Sequence, residues 1–202
     1  MKLLLATHNE HKRREFARLL GSAGDGDNWE VQALPGAMIL PPEVGLTFAE
    51  NALGKARAAA EATGQASIAD DSGIEAAALG GAPGVRSARY AGEEATDAEN
   101  LQKLLREAPA GSALEYVCAI AYVDPAASLE RLFEGRCAGR LAAAPRGKRG
   151  FGYDPAFLPD DGPDGLTMAE LSERQKDAIS HRGRAARMLA NHLAIGEAPE
   201  SG

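Results

Sequence analysis

Cysteine, aromatic residues and long apolar runs are all scarce in this chain of 202 residues. Its two cysteines, Cys118 and Cys137, have neither CxxC spacing nor Cys/His ligand spacing. That excludes a disulfide scaffold and a zinc module, and leaves two reduced thiols on strands. No apolar run approaches the ~18 residues a membrane-spanning helix needs. The apolar start Met1-Lys2-Leu3-Leu4-Leu5-Ala6 is cut off by Thr7-His8-Asn9-Glu10-His11-Lys12 before it could act as the core of a signal peptide. We therefore expect a soluble, cytoplasmic protein with no membrane partner. Positive charge is also short, with 22 Lys and Arg against 29 Asp and Glu for a net charge of −7. This is the wrong sign for coating a nucleic acid, so no nucleic-acid partner is expected. A small phosphorylated ligand stays open, because a few local cations can hold it. What the chain does have is 45% hydrophobic and 25% charged residues, enough to bury a core.

Strand and helix signals interleave. Leu3-Leu4-Leu5-Ala6 reads as a strand buried on both faces, and Asn9 can cap a helix from Glu10 to Leu20 with Phe16, Leu19 and Leu20 on one face. Residues 21–28 form a Gly/Asp-rich loop, and 31–34 a second strand. Thr47-Phe48-Ala49-Glu50 is a capping box opening an Ala-rich helix that ends near Gly64. Ser67-Ile68-Ala69 is a brief strand that Asp70-Asp71-Ser72-Gly73 is expected to break as a turn. A second capping box at Thr96-Asp97-Ala98-Glu99 leads a helix to about Glu107. Residues 114–123 and 129–137 read as a hairpin around a five-residue turn, with a further strand near Arg140-Leu141. The chain is helical from Thr167, with a last helix near 180–193. The fold class is α/β with one antiparallel insertion: one domain over residues 1–195 and a flexible tail, 196–202.

Polar residues crowd four loops at element ends, where α/β proteins place their sites. Thr7-His8-Asn9-Glu10-His11-Lys12 is a strand-to-helix turn whose free N–H groups and lysine suit an anion. A capped helix with a solvated lysine would look the same. Asp70-Asp71-Ser72-Gly73, with Glu43 in an earlier loop, offers hard oxygen ligands for Mg²⁺, or else an exposed Asx turn. Phe151-Gly152-Tyr153-Asp154-Pro155 follows Arg146, Lys148 and Arg149, so two aromatics could stack a base while the cations reach phosphates. The alternative is a structural turn with core aromatics. Lys176 and Ser180-His181-Arg182 stand at the mouth of the last helix, where Ser180 can also act as a cap.

Taken in order, these blocks resemble the inosine/xanthosine triphosphate pyrophosphatase family, hydrolases of deaminated purine nucleotides. Thr7-His8-Asn9-Glu10-His11-Lys12 is similar to its TxNxxK motif, and Thr47-Phe48-Ala49-Glu50-Asn51-Ala52-Leu53-Gly54-Lys55-Ala56 to its TFxENAxxKA helix. Ala69-Asp70-Asp71-Ser72-Gly73 through Gly80-Gly81-Ala82-Pro83-Gly84-Val85-Arg86-Ser87-Ala88-Arg89-Tyr90 is similar to its longest signature. Phe151-Gly152-Tyr153-Asp154-Pro155 and Ser180-His181-Arg182 complete the set. One departure is His8, where bacterial members often carry glycine; a side chain there narrows the turn or adds a contact near the phosphates.

The resemblance implies a mixed, strongly twisted sheet flanked by helices, an elongated two-lobed domain with the active-site cleft between the lobes, and a homodimer. For the contact between copies we expect the apolar stretch 74–79 and the glycine loop 80–84. The implied reaction splits a nucleoside triphosphate such as ITP, dITP or XTP between the α- and β-phosphates. Glu43 and Asp71 would hold Mg²⁺, and Asp71 would also be the catalytic base. Thr7, His8, Asn9, Glu10, His11, Lys12, Lys55 and Lys176 would bind the triphosphate end, with Ser72 beside the metal. Phe151, Gly152, Tyr153, Asp154, His181 and Arg182 would form the base pocket. Inosine and xanthosine present an acceptor oxygen at position 6 where adenine presents an amino donor, so donors from His181 and Arg182 would bond the first and face the second unpaired. Two other readings remain: a related pyrophosphatase for other modified nucleotides, and a non-catalytic nucleotide-binding module. The second would be expected to lack a carboxylate at 43 or 71.

Overall fold

The computed structural model describes residues 2–21 and 29–196. Past Gly21, the loop expected at 21–28 lies outside them, as does the expected tail past Gly196. The element order is β1 (Lys2–Leu5), α1 (Glu10–Gly21), β2 (Glu30–Ala33), α2 (Phe48–Thr63), β3 (Ser67–Ala76), α3 (Asp97–Glu107), β4 (Ala113–Asp124), β5 (Leu129–Leu141), β6 (Phe157–Pro159), α4 (Glu173–Ile179) and α5 (His181–Gly196). The six strands form one sheet in the order β2-β1-β3-β4-β5-β6. β1 is parallel to β2 and to β3, with Leu5 opposite Ala33 and Ile68, and β5 is antiparallel to β6. The expected mixed α/β class holds.

Local chemistry explains the elements. Leu3, Leu4 and Leu5 are all buried, as a strand covered on both faces requires, and each contributes about 1.5–3 kcal/mol relative to exposure. Asn9 Oδ1 accepts from the N–H groups of His11 and Lys12 at 2.9 and 3.1 Å, the capping role expected of it. Both expected capping boxes are present, at Thr47/Glu50 and Thr96/Glu99, and a third, Ser172/Gln175, opens α4. His8 carries no positive φ, the only such non-glycine among the described residues being Ser128, so replacing glycine there costs no backbone strain.

The chain gathers into two compact units: Met1–Asp71 with Ala119–Glu134 and Ala185–Gly202, and Ser72–Cys118 with Gly135–Arg184. In the second unit Ile74, Leu101, Leu104, Leu114, Tyr153 and Phe157 belong to one buried apolar cluster. Cys118 and Cys137 are free, buried thiols on β4 and β5.

Three expectations fail. The Asp70-Asp71-Ser72-Gly73 segment does not break β3; the strand runs through it for 10 residues. Turn propensity loses here because both carboxylates are buried and find partners inside the protein, so neither needs water. The strand near Arg140-Leu141 is the end of β5, not a separate element, and β6 was not anticipated. Residues 167–171 form a turn in place of the helix start. Thr167 Oγ1 meets the Arg146 carbonyl at 2.9 Å and Glu170 Oε2 at 3.1 Å, and the helix begins only after Ser172. In the stretch 74–79, Ile74 and Ala76 are buried in their own unit while Ala77 and Ala78 are exposed.

Candidate active site

The first unit assembles its site around the middle of β3. α2 is an alanine helix whose buried stripe is Phe48, Asn51, Ala52, Lys55, Ala56, Ala59 and Ala60. Asn51 and Lys55, one turn apart, are the polar members of that stripe. Lys55 Nζ donates to the main-chain oxygen of Asp70 at 2.7 Å and pairs closely with the Glu43 carboxylate. Lys12 Nζ meets the Asp70 carboxylate at 3.0 Å and reaches the same main-chain oxygen at 3.5 Å. Asp71 Oδ2 accepts from Asn51 Nδ2 at 2.8 Å, while Asn51 Oδ1 accepts from the Gly45 N–H at 2.8 Å. Asn51 thus ties the loop carrying Glu43 to the carboxylate of Asp71. Gly45 is required for this: a Cβ there would lie 2.7 Å from Asn51 Oδ1 and 2.8 Å from Glu50 Cβ.

The electrostatics follow from burial. Asp71 is held above the ordinary carboxylate range, first by desolvation and then by the charge of Glu43, against the pull of Lys12, Lys55 and the Asn51 hydrogen bond. For Lys55, burial works against the charged form, but the negative charges of Asp70, Glu43 and Asp71 outweigh it and raise its pKa. Adjacent Asp70 and Asp71 go to different partners. A strand turns successive side chains to opposite faces, and here Asp70 goes to Lys12 and Asp71 to Asn51.

At the same turn, Thr7, His8, Asn9, Glu10 and His11 are half-buried or exposed. The Thr7 hydroxyl accepts from the Asn9 N–H at 3.2 Å, and Glu10 is taken up by a surface ion pair with Arg13. Among the described residues no three His, Cys, Asp or Glu side chains converge as a preformed metal cluster. Glu43 and Asp71 nevertheless fit Mg²⁺, which is usually held by one or two carboxylates and completed by water and substrate phosphate. A divalent cation would also relieve the Glu43 repulsion that adds to burial in raising the Asp71 carboxyl.

The second unit gathers the other residues. Asp154 is buried and central: Oδ2 accepts from Lys176 Nζ at 2.7 Å and from the Phe151 N–H at 3.0 Å, and Oδ1 accepts from the Tyr116 hydroxyl at 3.1 Å. Gly150, with φ +73°, clears the space, since a Cβ there would lie 2.0 Å from Asp154 Oδ2. Lys176 Nζ and the Arg182 guanidinium sit 5.1 and 5.7 Å from the centre of the Phe151 ring. Arg182, only 2% exposed, donates to Ser72 Oγ at 2.7 Å. His181 is buried and lies parallel to the Tyr116 ring at 4.5 Å. Ser180 Oγ accepts from the Gly183 N–H at 3.1 Å and so caps α5.

Some of the expected site residues therefore meet and others do not. Phe151 is half-buried, but the Tyr153 ring is in the apolar core with its hydroxyl donated to the Ser87 carbonyl at 2.7 Å, so the two aromatics are not a matched stacking pair. Burial pushes the Tyr153 hydroxyl pKa up. Gly152 donates its N–H to Asp97. Arg146 and Arg149 bind the turn at 165–171 through Gly165, Glu170 and Leu171, and do not stand as a battery for phosphate. Sequence reading passed over Asn51 and Tyr116. Asn51 had a usable signal, a polar residue on the buried stripe of an alanine helix one turn before Lys55. Tyr116 had none, because its partners at 154, 157 and 181 are remote in sequence.

With this mixed sheet and these two groupings the protein is of the α/β class, and the chain belongs to the Ham1 family, whose match runs over residues 3–192. It is 49% identical over 196 residues to a dITP/XTP pyrophosphatase of Mycolicibacterium paratuberculosis, with 95% of each chain covered. It is 47% identical over 197 residues to a dITP/XTP pyrophosphatase of Gloeobacter violaceus, covering 96% of this chain and 95% of that one. Among solved structures it resembles a HAM1 protein from Coxiella burnetii, with a TM-score of 0.82, 39% identity, and 96% and 99% of the two chains covered. It also resembles a nucleoside-triphosphatase / dITP/XTP pyrophosphatase from Mycobacterium abscessus, with a TM-score of 0.70, 41% identity, and 94% and 98% covered.

Proposed function

We propose that this chain hydrolyses deaminated purine nucleoside triphosphates, ITP, dITP and XTP, to the monophosphate and pyrophosphate, a reading supported by its similarity to dITP/XTP pyrophosphatases. The observation that carries the chemistry is the buried pair Asp70 and Asp71, with half-buried Glu43, balanced by Lys12 and Lys55. Phosphoryl transfer needs charge neutralisation and a positioned water more than a protein nucleophile, and this group supplies both signs of charge. Lys12 and Lys55 bind the triphosphate while the Asp70 carbonyl fixes their ammonium groups. Glu43 and Asp71 would hold Mg²⁺, which would supply Lewis-acid stabilisation of the phosphate oxygens. Asp71 takes the proton of the attacking water, its carboxylate held in place by the Asn51 hydrogen bond. The main-chain turn of Thr7 and Asn9 adds hydrogen bonds at the start of α1.

The base end is read from Phe151, His181 and Arg182, together with Lys176, which was expected at the triphosphate but is held by Asp154 beside the Phe151 ring. Buried donors at His181 and Arg182 favour the O6 acceptor of a deaminated purine and leave the adenine amino group without a partner, a mismatch that can discriminate by ~10⁴–10⁵. Pyrophosphate release from ITP, XTP and dITP against the ordinary triphosphates, with and without Mg²⁺, tests the reading. Turnover of ATP equal to that of ITP, or full turnover after chelation, would sink it. The same reading takes the enzyme as a cytoplasmic homodimer. The free thiols Cys118 and Cys137 support a reducing compartment. The exposed apolar side chains of Ile39, Val44 and Leu46 support a contact between copies. Light scattering that gives the 21.1 kDa monomer mass at micromolar protein rejects the dimer.

A further inference from the structure

Tyr116 stands in the first half of β4, is 6% exposed, and has its hydroxyl taken up by Asp154. Its contacts nevertheless reach both sides of the base-binding group. One face of its ring lies on the His181 imidazole, 4.5 Å between centroids and within 4° of parallel. Phe157 packs at 4.6 Å and 49°, so the Tyr116 ring is itself held in place. Its hydroxyl donates to Asp154 Oδ1, on the carboxylate whose other oxygen holds Lys176 Nζ and the Phe151 N–H. Asp154 therefore works as a staple for the Phe151 turn and for Lys176, and Tyr116 orients the staple.

We infer that Tyr116 is a positioning residue for base recognition: its ring fixes the plane of His181, and its hydroxyl fixes Asp154 and through it Lys176 and Phe151. The inference rests on the proposed reading of this group as the base pocket. A parallel stack confines an imidazole to one plane, and an imidazole N–H is directional in that plane, so tilting the ring moves the donor off the purine edge. A buried carboxylate with both oxygens bonded is rigid, and removal of one partner frees it to rotate.

The test uses the full chain with two substitutions. Tyr116→Leu removes ring and hydroxyl; Tyr116→Phe keeps the ring and removes the hydroxyl. Thermal unfolding reports folding, steady-state turnover of ITP and ATP gives kcat and KM, and calorimetry with IMP reads binding without chemistry. Tyr116→Leu should lower the ITP-over-ATP preference in kcat/KM by about 10-fold, mostly through KM for ITP, with kcat near wild type. Tyr116→Phe should keep that preference within about 3-fold and weaken IMP binding about 5-fold, the loss of one hydrogen bond. A folded Tyr116→Leu enzyme with the wild-type ITP/ATP ratio overturns the inference, because a purely structural residue scales all substrates alike. Wild-type IMP affinity in Tyr116→Phe overturns it independently, and decides the matter if the leucine variant does not fold. Should the unmodified enzyme itself fail to prefer ITP, the base-pocket reading falls and takes the inference with it.

Discussion

The two side-chain groups hold their functional residues by opposite means. In the first unit, charge is balanced against charge: Lys12 and Lys55 face Glu43, Asp70 and Asp71. In the second, a single buried carboxylate and a stack of rings set the geometry, with Asp154 at the centre and Tyr116, His181 and Phe151 around it. The first arrangement tunes how readily a group gains or loses a proton. The second fixes where donors point. Chemistry and recognition are thus assigned to different kinds of packing, and changes in one group should leave the other's signature intact.

The most disruptive expected change is Asp71→Asn. It should lower kcat for ITP by at least ~10²-fold, the lower range for a positioned acid or base, with the ITP/ATP ratio kept. Wild-type-like turnover would remove Asp71 from its assigned role. Next comes Arg182→Ala, which deletes a charged donor worth roughly 1.5–3 kcal/mol and should lower kcat/KM for ITP by about 10–150-fold. ATP should fall far less; an equal fall for both would make Arg182 a phosphate or structural residue and erase the contrast between the groups. Lys12→Ala should depress ITP and ATP alike, by about 10-fold for one lost charge-assisted bond, since phosphates carry no base information.

A smaller effect reads out proton affinity. Asn51→Ala removes a hydrogen bond that favours ionised Asp71, so its carboxyl should rise further and the acid limb of kcat/KM should move to higher pH. A raised carboxyl keeps its proton longer in the folded state, so its contribution to stability is greatest below the unfolded value near ~4 and declines as pH rises through the folded value. Asp71→Asn should flatten that decline in a stability profile. The smallest change is His8→Gly: His8 is exposed and without positive φ, so stability should move by less than about 0.5 kcal/mol, and a larger shift in melting temperature would reveal a hidden role.

Much of the fold was legible because local signals agreed with each other. The Thr47 and Thr96 capping boxes, the Leu3–Leu5 run and the glycine after α2 each describe a few neighbouring residues, and each stands where it was expected. The failures share a cause. Asp70-Asp71-Ser72-Gly73 has turn chemistry, yet it is a strand because Lys12, Lys55 and Asn51, up to 58 residues away, satisfy it. Tyr153 carries the aromatic signal of a stacking face, but its hydroxyl finds a carbonyl 66 residues distant and the ring goes into the core. The site residues were visible as motifs. Which atom each would hold depends on contacts that no window of sequence contains.

The tether for two ammonium groups on β3 is a peptide oxygen, that of Asp70. No codon change at position 70 removes it. Substituting Asp70 alters local charge and the bond to Lys12 Nζ, but the carbonyl that Lys55 grips belongs to every amino acid alike. Positions 12 and 55 have no such insurance. Mutational scanning should therefore find an uneven landscape across one cluster: variants at 70 keep Lys55 anchored and lose function by degrees, whereas variants at 55 lose the anchor and the charge in one step.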